Sequence, residues 1–452
     1  MSSQAYSLNM TQGSILKNVI RFVIPLIIGN LLQLMYNAAD LIVVSRWSGS
    51  SAMASVGATG SINTLIVNLC IGFSVGASVL VSRNFGAQKN DALYRSVHTA
   101  VALSLVTGAF GLILGTTLSR PLLTLTGTPR GEVLDGAVLY MRIYFAGVPA
   151  SMAYNFGASI LRAIGDTKRP LYILCFSGLI NVILNLILVI KFHLGVAGVA
   201  IATATANYIS AALVLTVLSR TDGPYRLYFK KIRFYKSELK SALKIGIPAS
   251  LQNSLFSLSN TVIQSAVNSF GAAAMSGSAA GSNIEGFVYT AMNAFYQATL
   301  TSVSQNYGAK LEKRVYHSIR VCILCVAVSG FTLGLLSVIF ARQLLGIYIT
   351  DSPEAIDFGI IKMIYTGLPY FLCGIMEVLS GALRGIGHSN IGMINTLIGA
   401  CGLRILWVAF ILPLHHTPTM LFLCWSISWI IVIIMHTVSF LVLRKKSFTF
   451  SG

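Results

Sequence analysis

Apolar residues run along this chain in long blocks separated by short polar, mostly basic turns. Most blocks approach or exceed the ~20 residues that carry a helix across ~30 Å of hydrocarbon. Twelve spans are expected near 16–45, 54–82, 93–118, 134–160, 170–191, 195–219, 238–268, 276–304, 315–341, 356–383, 390–412 and 418–443. Ten-residue segments of alternating hydrophobicity are absent, which excludes a membrane barrel. The expected fold class is an all-α membrane protein with about twelve transmembrane helices, six in each half.

The two halves repeat one another. Leu161-Arg162-Ala163-Ile164-Gly165-Asp166 returns as Leu383-Arg384-Gly385-Ile386-Gly387-His388, an offset of 222. Asn84-Phe85-Gly86-Ala87 returns as Asn306-Tyr307-Gly308-Ala309 at the same offset. Leu16-Lys17 and Ile24-Pro25 return as Leu239-Lys240 and Ile247-Pro248, at 223. An amino-terminal lobe over 1–219 and a carboxy-terminal lobe over 238–452 are therefore expected, joined by a polar, basic linker over 220–237. Each lobe has an even number of spans, so the repeat is parallel, about an axis along the membrane normal. Pro25 and Pro248 lie about a third of the way into the first helix of each lobe. Each removes a backbone hydrogen bond, giving either a static kink or a hinge. Gly72, Gly76, Gly108 and Gly111 read as close packing between helices.

Composition agrees with the pattern. Hydrophobic residues make up 55% of the chain and charged residues 10%, and mean hydropathy is +0.76. A soluble domain carries about 25% charge. The net charge of +19 invites a nucleic-acid reading, but its placement argues against one. With the amino terminus inside, 24 of the 32 basic residues fall on cytoplasmic loops, the linker and the ends, Arg444, Lys445 and Lys446 among them. This places both termini in the cytoplasm of a multi-pass protein of the cell (inner) membrane. The first span is too long for a cleaved leader and has a partner in the second half. Cys322 and Cys325 stand on an apolar helix with no second pair, so packing is the expected role. His415-His416 reads as an outer turn. No metal site and no cofactor are expected.

Three acids lie well inside predicted spans: Asp40, Glu285 and Glu377. An ionisable group at that depth costs about 2.5–3.5 kcal/mol on insertion scales, so it is a functional candidate unless a fixed partner explains it. Asn30, Gln33, Asn37 and Asp40 form one helical stripe. At 1.5 Å per residue, Asp40 and Asn185 each lie roughly 9 Å inside the outer ends of their helices, and Thr203 lies roughly 12 Å down the next. Asn181 shares a face with Asn185. Asp40, Asn181, Asn185 and Thr203 thus fall in one layer. They offer a carboxylate, two amides and a hydroxyl, suited to a hard cation or to a carboxyl that takes up a proton. A packed polar cluster without ion traffic is the other reading.

The second half is not a copy, since Ile263 stands where Asp40 stands in the first. At offset 222 Glu285 corresponds to Asn63, and Glu377 to Asn155. Glu285 should lie near the midplane, with Tyr289, Met292 and Tyr296 following at helical spacing. Glu377 and Arg404 are both intramembrane, and two readings stand: a fixed ion pair, or a carboxylate that exchanges Arg404 for a proton or substrate. Gln33, Asn37, Glu285, Tyr289, Met292, Tyr296, Glu377 and Arg404 are the expected lining of a substrate cavity. Arg162 and Arg384 are expected to anchor loops and helix ends.

Several segments together resemble the multidrug and toxic compound extrusion (MATE) family of antiporters. They are Ile24-Pro25 followed by Ala39-Asp40-Leu41-Ile42-Val43, then Asn84-Phe85-Gly86-Ala87, then Leu161 to Asp166. Asn181 and Asn185, Gly195 to Thr203, Asn283-Ile284-Glu285, and Leu383 to Gly387 follow. The resemblance implies two six-helix lobes forming a V around a central cavity. It implies export of organic, often cationic, compounds driven by inward flow of H⁺ or Na⁺. Asp40, Asn181, Asn185 and Thr203 match the family's amino-lobe cation site. Asn185 departs from branches that carry Asp there, which weakens the case for tight Na⁺ binding and leaves the ion open.

The leading function is a secondary antiporter working by alternating access, a monomer whose partners are small organic molecules and the lipid bilayer. The alternative is a flippase for lipid-linked sugar precursors, which would favour a strongly basic cavity for pyrophosphate. No filter-like segment suggests a channel. No nucleophile with a base, and no pair such as HExxH, suggests an enzyme.

Overall fold

The apolar blocks become helices, and the polar turns between them supply the stops. A computed structural model describes residues 8–350 and 352–448, apart from the side chains of Ser50, Lys445 and Lys446. Residues 1–7, 351 and 449–452, at the ends of or within the two expected lobes, lie outside the described residues, as do the two lysine side chains assigned above to the cytoplasm. In chain order the α-helices are α1 (Ile15–Gly86), α2 (Asn90–Thr117), α3 (Ser119–Leu125), α4 (Glu132–Ala146), α5 (Val148–Ala163), α6 (Lys168–Asn185), α7 (Gly195–Arg220) and α8 (Lys236–Asn268). They continue as α9 (Ala272–Gly308), α10 (Glu312–Ile339), α11 (Ala341–Tyr348), α12 (Pro353–Lys362), α13 (Tyr370–Gly385), α14 (Ser389–Thr396), α15 (Leu403–Leu406) and α16 (Pro418–Ser447).

Local chemistry sets several ends. The Ser352 hydroxyl accepts the Ala355 N–H at 3.3 Å, and Pro353 follows at the first helical position of α12. Thr417 caps α16 in the same way, accepting the Met420 N–H at 3.2 Å ahead of Pro418. A hydroxyl cap satisfies an orphan N–H, and proline is pre-set for the first turn. Inside α1 the backbone breaks at Gly49, where φ is 84°, a conformation open to glycine at little cost. The break divides α1 into two spans, Ile15–Gly49 and Ser51–Gly86.

Among the described residues, nine helices are long and apolar enough to cross a membrane. The pair α4 and α5, bent by 44°, brings the number to ten. α8 and α9 are long enough at 33 and 37 residues, but both are less apolar than the others. Gln252, Asn253, Asn260 and Gln264 interrupt α8, and Asn283 and Glu285 interrupt α9. The described residues also include four π-helical turns that no periodicity announced: Leu186–Lys191, Met363–Gly367, Leu397–Gly402 and Trp407–Ile411.

The sequence repeat is a backbone repeat. Left-handed residues recur in pairs 222 apart: Gly49 and Gly271, Gln88 and Lys310, Gly165 and Gly387. α2 and α10 start and stop at the same offset. The compact units, however, are not the two sequence halves. Of the described residues, one comprises 8–9 and 28–250, the other 10–27, 251–350 and 352–448. The start of α1 thus groups with the second half, and the linker with the start of α8 groups with the first. The exchange points, 27/28 and 250/251, follow Pro25 and Pro248 by two residues.

In the first unit the linker is docked. Tyr225 and Leu227 join the core of Val97, Phe156, Leu161 and Val214. The Tyr228 N–H donates to His98 Nε2 at 3.1 Å, and the Tyr235 N–H to Thr99 at 3.2 Å. Arg95 pairs with Glu238 at 2.7 Å. Gly72 and Gly76 allow α8 to lie directly on α1. A Cβ at Gly72 would strike the Ser250 backbone, and one at Gly76 would strike the Ala242 carbonyl and stand 2.7 Å from the Gly246 nitrogen. In the second unit, the segment before α1 is held by Gln305, which accepts the Met10 N–H at 2.9 Å, and by Arg314, which donates to the Met10 and Gly13 carbonyls at 3.1 Å.

Overpacking a tight contact typically costs about 1–3 kcal/mol, so Gly76→Ala should lower the melting temperature of the purified protein. Gly57→Ala, where the added methyl meets open space, should not. Equal melting for both variants would show that the α1–α8 approach does not depend on Gly76.

Candidate functional site

Asp40 lies half-buried on the first span of α1, one turn before Val43 and Val44, which pack with Tyr140, Val189, Val199 and Ala200. Three helices bring polar side chains to its carboxylate. Asn185, the last residue of α6, donates to Oδ1. Thr203 on α7 donates to Oδ2 at 3.3 Å. Asn181 sits behind both: its amide donates to the Thr203 hydroxyl at 3.4 Å, and its Oδ1 accepts from Asn185, also at 3.4 Å. The structure therefore joins the four residues expected to share a layer into one network. Asn181 and Asn185 are buried, and Asn185 Oδ1 has no hydrogen-bond partner. The π turn Leu186–Lys191 begins directly after Asn185; such turns re-aim the side chains beside them. Gln33 and Asn37, on the same helix, are exposed.

The second unit carries a different arrangement. Glu285 on α9 faces Lys362, the last residue of α12, with Nζ 3.5 Å from Oε2. Thr366, in the π turn Met363–Gly367, donates to Glu285 Oε1 and also to the Lys362 carbonyl at 2.8 Å. Lys362 donates further to the Ser278 carbonyl at 3.0 Å and to the Ser282 hydroxyl. Glu285 is thus not a free carboxylate. The stripe expected beside it divides. Tyr289 is exposed, whereas Met292 is fully buried against Gly330 and Gly374. Tyr296 is buried and accepts a hydrogen bond from Arg384.

Glu377 and Arg404 do not pair. Arg404 is fully buried; its Nε donates to Ser428 at 3.0 Å, and its guanidinium stacks on Trp425 at 3.9 Å from the ring centroid. The cation that acts on half-buried Glu377 is Arg384. Arg384 is itself buried rather than an anchor for a loop, and donates to Gln252 on α8 at 2.8 Å. Arg162, its counterpart in the first half, donates to Ser159 at 3.2 Å. Asp166, on the loop after α5, is enclosed with Arg169, 2.7 Å away. Burial pushes its carboxyl above the usual range against the pull of the Arg169 N–H and guanidinium. Pro25 and Pro248 are buried inside α1 and α8.

The MatE family model matches residues 25–187 and 248–410, well over half of the chain. The chain belongs to the MatE family. Members of this family are transporters, so this is a multi-pass membrane transporter and not an enzyme. Among its relatives, Probable multidrug resistance protein YoeA of Bacillus subtilis is 27% identical over 415 residues, covering 90% of this chain and 89% of the relative. Multidrug export protein MepA of Staphylococcus aureus is 24% identical, covering 93% of this MatE chain and 91% of the relative. Two solved structures share the fold. An outward-facing multidrug resistance MATE family transporter of the MOP superfamily superposes with a TM-score of 0.86 at 22% identity, covering 98% of each chain. A mutant of the Vibrio cholerae MATE transporter VcmN gives 0.89 at 21% identity, covering 97% of this chain and 99% of that one.

Lys362 and Thr366 are the site residues that sequence reasoning missed. The available signal was Lys362 itself, an ammonium inside a predicted span with no partner on its own helix. Its partner stands on α9, and no spacing rule links the two. Breaking a buried pair by removing one member typically costs about 3–5 kcal/mol. Glu285→Gln and Lys362→Met should each lower the melting temperature in detergent, and the double variant should recover much of the loss. Losses that simply add would show that the pair is not coupled.

Proposed function

We propose that this MatE protein is a secondary antiporter that exports organic, cationic or amphiphilic compounds in exchange for a proton. The reading includes twelve spans in two six-helix lobes, with α8 and α9 among them, alternating access, and both termini in the cytoplasm of the cell membrane. The polar residues on α8 and α9 suit helices that line a route rather than face lipid. The chain's similarity to Probable multidrug resistance protein YoeA and Multidrug export protein MepA supports drug export.

The observation that carries the reading is the Asp40 network. A carboxylate at membrane depth, held by Asn185 and Thr203, is stable as a hydrogen-bonded anion and can be discharged by one proton. Protonation of Oδ2 turns that oxygen from acceptor to donor. Thr203 then needs only to rotate its hydroxyl, because a hydroxyl both donates and accepts. Loss of the charge removes the attraction for a cationic substrate and weakens the charge-assisted hydrogen bonds that tie α1 to α6 and α7. Either change shifts the balance between two packings of the helices. Pro25, fifteen residues before Asp40 in α1, is the bend this reading uses as a hinge, with Pro248 its counterpart.

Sodium is the second reading, and the same network disfavours it. A sodium ion ligated by these amides would be held through their oxygens. Asn185 presents its N–H to Asp40 and keeps Oδ1 turned away and buried. Binding sodium therefore requires breaking that hydrogen bond and reversing the amide.

Proteoliposomes loaded with a fluorescent cation such as ethidium, with ΔpH or ΔNa⁺ applied alone, test the reading. Export should follow ΔpH, be indifferent to ΔNa⁺, and disappear in Asp40→Asn while the variant keeps its melting temperature. Full ΔpH-driven export by folded Asp40→Asn would remove Asp40 from the coupling step. Export driven by ΔNa⁺ alone would replace the proton with sodium.

A further inference from the structure

The matched family segments begin at 25 and 248 and end at 187 and 410, an offset of 223 at both ends. That offset sets Ile263 at the place of Asp40, and Arg404 at the place of Asn181. Ser426, next to Trp425, takes the place of Thr203. The shift from 222 at Gly387 to 223 here has a structural cause. The π turn Leu397–Gly402 has no counterpart in the first half, and a π turn accommodates one extra residue. The second half has therefore replaced the acid of this layer with an aliphatic side chain and an amide with a guanidinium. Its polarity is reversed.

The donors in this layer are not matched by acceptors. Arg404 is fully buried, yet its hydrogen bonding is limited to Nε with Ser428; Nη1 and Nη2 have no partner. The indole Nε1 atoms of Trp425 and Trp429 are also buried without partners. The rings are neighbours, with centroids 6.0 Å apart, and the guanidinium lies on the first of them. Phe256 flanks it at 5.2 Å. Among the described residues no carboxylate forms an ion pair with Arg404. The ionisable groups around it, Cys373, Cys401, Cys424 and Tyr370, are thiols and a phenol that are ordinarily neutral near pH 7. Stacking on aromatic faces offsets part of the cost of burying the charge. It leaves the in-plane N–H groups unanswered, and an unpaired buried cation is costly.

We propose that Arg404, Trp425 and Trp429 form a binding site for a small monovalent anion, with chloride as the simplest occupant. A halide accepts several N–H donors at once and neutralises the guanidinium. The site stands apart from cation coupling at Asp40 and does not depend on it.

The probe is chloride or bromide as the potassium salt, exchanged against gluconate at constant ionic strength, on the full-length purified protein. Halide should raise the melting temperature saturably, and bromide should quench tryptophan fluorescence in a way that chloride relieves. Arg404→Gln should abolish both effects. Trp425→Phe keeps the ring stack and loses one N–H, so the apparent halide affinity should fall about 5–10-fold. This variant carries the test should Arg404→Gln fail to fold. A halide response that is absent, that never saturates, or that is unchanged in Trp425→Phe would overturn the proposal.

Discussion

An ionisable group inside a membrane-spanning helix must be answered by something, and how each one is answered organises this molecule. Asp40 is answered, among the described residues, by two hydrogen-bond donors and no ion pair. Glu285 is answered by an ammonium and a hydroxyl. Arg404 is answered by aromatic faces and one serine. Of the three, the Asp40 arrangement is the one that a single proton changes most. Its partners donate to an anion, so protonation forces at least one of them to turn. Glu285 already has its countercharge in Lys362, and a proton there must displace an established ion pair.

The π turns explain how these side chains reach their places. Asn185 precedes one, Lys362 precedes another that contains Thr366, and Arg404 lies between two more. Each turn shifts the face that later residues present. An exchange of polar side chains between layers of a repeated fold thus accompanies local changes in helix winding, at little cost to the shared backbone plan.

This also shows what was legible in the sequence. Asp40, Asn181, Asn185 and Thr203 could be placed in one layer because depth counts from the helix end, and the single π turn Leu186–Lys191 outside Asn185 changes that count little. The repeat was legible because the left-handed turns at Gly165 and Gly387 demand the same residues twice. The Glu377–Arg404 pair was an inference from neighbouring spans on ideal helices. The π turn Leu397–Gly402 ends two residues before Arg404 and changes the face it presents, and the side chain meets Trp425 instead. Lys362 and Glu285 meet across two helices far apart in the chain, which periodicity does not encode. The grouping of residues 10–27 with the second unit was equally hidden, because α1 is continuous through Pro25.

In the proposed cycle, Asp40 holds the proton that the substrate displaces. The most direct measurement is proton release from purified protein in weakly buffered detergent solution when a cationic substrate is added, followed with a pH-sensitive dye. The native protein should release protons in the range where Asp40 is protonated, and folded Asp40→Asn that still binds the substrate should release none. Equal release from both proteins would contradict it.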